Sequence, residues 1–169
     1  MTTLYLLRHG KAHPRGPRWR PDSERPLTSE GEKNMFDVAR GLRVLKVEFD
    51  TILSSAYARA WRTAEIVAEV YGRREVHRTE GLAPGGSARD LIDEVNTKFA
   101  PARNIVLTGH EPDLSQLASV LLTGSGSMAL ELKKAGLCKL AAGKLVFGKC
   151  ARLHWLLTGK QLARLGRQR

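Results

Sequence analysis

Short apolar runs alternating with segments of helical period constrain this chain more than any other feature. Leu4-Tyr5-Leu6-Leu7, Thr51-Ile52-Leu53 and Asn104-Ile105-Val106-Leu107-Thr108 are too short for buried helices and too continuous for half-exposed strands. They read as strands buried on both faces. Between them lie helical patterns. Thr28-Ser29-Glu30-Gly31-Glu32 offers Thr28 or Ser29 as an N-cap with acids in the first turn, and Met35, Val38, Ala39, Leu42 and Leu45 follow at helical spacing. Ala60, Ala64, Val67 and Ala68 share a second face that ends near Gly72. Ser87 can cap a helix over about 88–97, and another is predicted over about 113–122. Glu75-Val76-His77 is a weak strand, and residues 137–141 and 151–157 are two more, joined by a glycine-containing turn. This alternation predicts an α/β fold: a three-layer α/β/α sandwich with a mostly parallel central sheet. One domain spanning 1–169 is expected, with about 159–169 as a flexible basic tail.

Open sheets of this kind bind ligands at the carboxyl ends of their strands. Three strands deliver candidates there. The first ends at Arg8-His9-Gly10, and the second at Ser54-Ser55, opening the helix that carries Arg59 and Arg62. The third ends at Gly109-His110-Glu111. Two histidines and at least two arginines at one edge suit phosphoryl transfer. Guanidinium forks and imidazole donors can hold the three equatorial oxygens of the transition state, and a neutral imidazole can attack phosphorus. Gly10 and Gly109 would let the backbone approach the anion closely. No cofactor is needed for this chemistry. A metal centre built on His9, His110 and Asp113 is an alternative, opposed by the repulsion between a dication and two guanidiniums. Arg62 reads as a residue of a solvated helix face, and His13, His77 and His154 as surface or core residues.

Charge adds a constraint on partners. The net charge is +11, and after Glu131 there are ten basic residues and no acidic one. That excess could serve a basic module for nucleic acid or an acidic protein. Aromatic residues are only 6% and are not interleaved with the basic ones, which disfavours stacking on bases. Lys11, Arg15, Arg18 and Arg20 could also rim the phosphate site. No apolar run approaches the roughly 20 residues that span a bilayer. The start, Met-Thr-Thr-Leu-Tyr, lacks a basic segment followed by an apolar one. The expectation is a cytoplasmic protein without a membrane partner. Cys138 and Cys150 are expected as reduced thiols, with a hairpin disulfide as the alternative.

Four ordered motifs carry a resemblance that covers nearly the whole chain. They are Leu-Leu-Arg8-His9-Gly10-Lys11-Ala12, Arg25-Pro26-Leu27-Thr28-Ser29-Glu30-Gly31, Ser54-Ser55-x-x-x-Arg59-Ala60-x-x-Thr63-Ala64 and Thr108-Gly109-His110-Glu111-Pro112-Asp113-Leu114. Together they resemble the histidine phosphatase (phosphoglycerate mutase-like) superfamily. The short chain and Leu153-His154-Trp155-Leu156-Leu157-Thr158 are similar to its SixA-type phosphohistidine phosphatase branch. The resemblance implies His9 as nucleophile, with Arg8, Arg59 and His110 binding the phosphoryl oxygens. It implies a metal-independent phosphatase whose partner is a phosphohistidine-bearing signalling or phosphotransfer protein. A small-molecule phosphomonoesterase is the alternative within the family. The proton donor is the open position. Glu80 is the nearest match, with Glu111 and Asp113 competing, although Asp113 suits a helix cap. A P–N substrate would relax the need for a strong acid, because a protonated imidazole is a better leaving group than an alkoxide.

Overall fold

A computed structural model describes residues 1–168. Strands β1 (Thr2–Arg8), β2 (Thr51–Ser54), β3 (Val76–Arg78), β4 (Asn104–Gly109), β5 (Leu137–Ala142) and β6 (Ala151–Leu157) form one sheet in the order β3-β2-β4-β1-β5-β6. β1, β2, β3 and β4 pair in parallel, while β5 runs antiparallel to both β1 and β6. The helices are α1 (Ser29–Val44), α2 (Ala58–Val70), α3 (Ala88–Lys98), α4 (Asp113–Thr123) and α5 (Gly159–Arg167).

Strand alternation divides the core in two. Tyr5 and Leu7 of β1 pack with Met35, Val38, Leu42, Ala64, Val67 and Leu162 beneath α1, α2 and α5. Leu4 and Leu6 point the other way, toward Leu91, Val95, Leu114 and Leu117 of α3 and α4. The result is the expected three-layer sandwich. Thr28 caps α1 through Gly31 N–H at 2.9 Å, and Ser87 caps α3 through Asp90 N–H at 3.1 Å.

Two local expectations are corrected. Residues 159–168 are not a loose tail: they contain α5, while Arg169 lies outside the described residues. Thr158 and Gln161 form a capping box at the start of α5, and Leu162, Ala163 and Gly166 are buried against α1. Close approach is built in by small residues. A Cβ on Gly41 would lie 2.0 Å from the Leu162 carbonyl oxygen, and one on Gly166 would lie 1.9 Å from that of Asp37. The second correction concerns Asp113, which does not cap α4. Glu111 does so instead, accepting the Ser115 N–H at 3.0 Å and its hydroxyl at 2.6 Å. Asp113 Oδ2 takes the Gly85 N–H at 3.1 Å, tying the turn before α3 to α4.

Cys138 is buried and Cys150 half-buried, and both are free thiols. Burial pushes the Cys138 thiol up to about 12, so it is not a reactive group. Among the described residues no helix is long and apolar enough to cross a membrane.

Candidate active site

Register places the site. β4 lies between β1 and β2, with Arg8 opposite Gly109 and Ser54 opposite Thr108. The residues that follow, His9, His110 and Ser55, therefore emerge side by side at one edge. The His9 N–H donates to the Gly109 carbonyl at 3.1 Å, and the Ser55 N–H to that of Thr108 at 3.0 Å. The two imidazoles sit with ring centroids 5.3 Å apart. His9 is 6% exposed and His110 3%.

The His9 tautomer follows from its partner. Nδ1 lies 2.7 Å from the Gly10 carbonyl oxygen, which can only accept. Nδ1 therefore carries the proton, and Nε2 keeps its lone pair. Burial lowers the His9 pKa to about 4; the bond to Gly10 opposes this, while Arg59, Arg8 and Arg25 add to it. The ring is neutral near pH 7, as a nucleophile must be. Burial likewise takes His110 to about 3, aided by His9 and Arg59. Its Nε2 lies 2.9 Å from Ser55 Oγ, and its ring packs T-shaped with Tyr57, the centroids 5.3 Å apart.

Three guanidiniums surround the pair. Arg59, 2% exposed, reaches back from the first turn of α2, and its carbon lies 5.2 Å from the Tyr57 ring centroid. Arg8 is held by the Leu132 carbonyl at 3.0 Å. Arg25, 8% exposed, is fixed by the His13 carbonyl at 2.7 Å and by Asp22 Oδ1 at 2.8 Å. Asp22 also binds Arg59, through Oδ2 and its backbone carbonyl, both at 3.0 Å. Burial works to raise the Asp22 pKa, but the hydrogen bond from Arg25 and the charge of Arg59 outweigh it and hold the carboxyl below its usual range. Arg8 Nε, Arg59 Nε and His110 Nδ1 are buried without a protein partner. Buried donors of this kind need an acceptor, and the excess of positive charge selects an anionic one.

The structure thus brings Arg8, His9, Arg59 and His110 together. Gly10 has a different part from the expected phosphate contact. Its N–H is engaged by Thr63 Oγ1 at 3.1 Å and its carbonyl by His9. A Cβ there would meet Met35 Cγ at 2.7 Å, so packing on α1 explains the glycine. Glu80 directly precedes Gly81 and Leu82, which share a cleft with His110. It is exposed in a 3-10 turn (Glu80–Leu82) and lines a depression with Thr79, Ser87, Asp90 and Glu94. Arg62 pairs with Glu32 and Glu69 on the helix surface. Sequence reasoning missed the roles of Asp22, Arg25, Ser55 and Tyr57. Arg25 and Ser55 stood inside quoted motifs, and Asp22 lies three residues before Arg25, but only the fold shows that Ser55 meets His110 and that the charges of Arg25 and Asp22 reach it.

The profile of the Histidine phosphatase superfamily (branch 1) matches residues 4–125. An uncharacterised protein of Picosynechococcus sp. is 38% identical over 141 residues, covering 83% of this chain and 85% of that protein. A solved structure of the protein histidine phosphatase SixA complexed with tungstate superposes with a TM-score of 0.80 at 21% identity, over 95% of this chain and 99% of that one. A phosphoglycerate mutase from Bacillus anthracis gives a TM-score of 0.73 at 15% identity, over 99% and 97% respectively.

Proposed function

The chain belongs to the histidine phosphatase superfamily, and on that premise we propose that it removes phosphate from phosphohistidine on a protein. His9 Nε2 attacks phosphorus opposite the P–N bond of the substrate. A bond forms from Nε2 to phosphorus, and the electron pair of the breaking P–N bond leaves with the substrate imidazole, which already carries a proton on its other ring nitrogen and so departs as neutral imidazole. The phosphoryl group then rests on Nε2 of His9, whose Nδ1–H stays on the Gly10 carbonyl. Water attacks the same phosphorus, the pair returns to Nε2, and orthophosphate departs. Arg8, Arg25 and Arg59 balance the equatorial charge throughout. Ser55 Oγ already accepts the Tyr57 N–H, so its own proton is free for His110 Nε2. His110 then carries its proton on Nδ1 and donates it to a phosphoryl oxygen.

The observation that carries this reading is the acid–base balance of the cluster. Both imidazoles are held neutral, and the carboxylate among them, Asp22, is ionised against two guanidiniums. His9, His110 and Asp22 hold no acidic proton for an alkoxide leaving group, whereas an imidazole protonated on its other ring nitrogen from solvent leaves as the neutral ring. The likeness to the SixA structure over nearly the whole chain supports the same choice. The test is a panel of a phosphohistidine protein, a phosphoserine peptide and a sugar phosphate. The first should be hydrolysed with a kcat/KM at least about 10²-fold above the others, and His9→Ala should lose both turnover and the covalent phosphoenzyme. Equal or better hydrolysis of the sugar phosphate would replace the reading with a phosphomonoesterase. Turnover retained by His9→Ala would overturn the mechanism.

A further inference from the structure

A cleft of about 280 Å³ shares His110 with the candidate site. His110 closes one end, and the cleft follows α4 past Leu114 and Leu117 to Val120. Its other wall is the turn before α3, with Leu82 and Leu91, and Phe147 from the 143–150 loop also lines it. Residues 113 to 120 span roughly 10 Å along a helix axis, one to two turns. The lining is mainly apolar, and two of the six large exposed apolar side chains among the described residues, Val146 at 40% and Phe147 at 39%, belong to that same loop. Positive charge flanks it. The Arg89 guanidinium lies 4.3 Å from the Phe147 ring centroid, and Lys144 and Lys149 are exposed on either side of Phe147. Asp113, the acidic residue of the lining, is engaged by the Gly85 N–H.

We infer that this cleft is a specificity subsite for the phosphorylated partner: it takes one large apolar side chain, set in an acidic surface, one or two helical turns from the phosphohistidine. The inference rests on the phosphohistidine reading above. Continuity argues that the occupant belongs to the molecule that presents the phosphoryl group, because His110 faces both. Size argues for a single side chain, since the volume falls just below the range of about 300–1,000 Å³ for small-molecule pockets. The lysines and Arg89 argue for acidic neighbours around it.

The test uses acidic helical peptides carrying phosphohistidine, with Phe or Ala placed four or seven residues away on either side. Phosphoramidate, which has no side chain to dock, reports the chemistry alone. The best Phe peptide should exceed its Ala counterpart in kcat/KM by about tenfold, and changing its Glu residues to Lys should abolish that gain. Val120→Trp, which fills the cleft, and Phe147→Ala, which removes a wall, should each erase the preference while leaving phosphoramidate turnover unchanged. Phe147 is exposed, so its variant keeps the test valid if Val120→Trp does not fold. Equal rates for Phe and Ala peptides, or a preference surviving both variants, would overturn the subsite and leave the phosphohistidine reading intact. Turnover of phosphoramidate with none of any phosphohistidine peptide would overturn both.

Discussion

Arg25 acts on the chemistry from a loop that the nucleophile's strand does not contain. Its guanidinium is fixed by the His13 carbonyl and Asp22, and its charge bears on both His9 and His110. Replacing it with Ala removes one of the three guanidinium charges that act on His9. The expected loss in kcat/KM is on the order of 10²-fold, as for a deleted transition-state donor. The pH profile should move as well. Protonated His9 cannot attack, so the wild-type rate falls as pH drops through about 4. Arg25 adds to burial, Arg59 and Arg8 in holding that value down, so the acid limb of Arg25→Ala should move up; an unmoved limb would show that burial and the other two arginines set it without Arg25. At this scale the sequence made His9, His110, Arg8 and Arg59 legible, because each follows a buried strand or opens the helix behind one. Asp22 was not legible: its role exists only once the 11–27 loop has folded back onto Arg59. The Gly10 reading failed for a related reason, since a glycine's purpose depends on what its missing Cβ would strike, here Met35.

Among the elements, apolar runs flagged β1, β2 and β4, while β3, three residues long and only partly buried, read as a weak strand; register then determined which side chains share an edge. The helix α5 went unread because its pattern is weak in large apolar residues. In Gly159–Arg167, burial falls on Leu162, Ala163 and two glycines, and glycine counts against a helix when propensity alone is considered. The structure reverses that weighting: Gly41 and Gly166 let the α1 and α5 backbones touch. Gly41→Ala should therefore destabilise the fold despite alanine's higher helix propensity, which alone would favour it by about 1 kcal/mol. A methyl group 2.0 Å from the Leu162 carbonyl must push α5 away, at about 3 kcal/mol by the usual range for overpacking. Urea unfolding would show the midpoint fall with an unchanged slope. A neutral or stabilising result would mean that α5 does not dock as described.

For the whole molecule, charge and burial combine into a distinct acid sensitivity. Both site histidines are neutral in the folded state, with pKa values lowered to about 4 and about 3, first by burial and then by surrounding positive charge. In the unfolded chain they titrate near 6.5. Between these values the unfolded state binds more protons than the folded one, so stability rises with pH and is lost on acidification from about 6.5 downward. From pH 7 to 5 the loss is on the order of 2 kcal/mol per histidine. Asp22 and Glu94 have lowered carboxyl pKa values, so the stability they contribute fades at more acid pH, below the unfolded carboxylate range near 4. The pH 5–7 window thus separates the two effects. General repulsion in a chain of net charge +11 also grows on acidification, but it acts alike on a variant of the same fold. The His9→Asn/His110→Asn double variant is the control. Urea unfolding at pH 7 and pH 5 should show a steep loss for the wild type and a much shallower one for the double variant. Parallel losses would mean that the two imidazoles are not held neutral. Orthophosphate, the product of the proposed reaction, should bind the folded site and offset part of the wild-type loss, because an anion beside the imidazoles favours their protonated form and so raises their folded pKa toward the unfolded value.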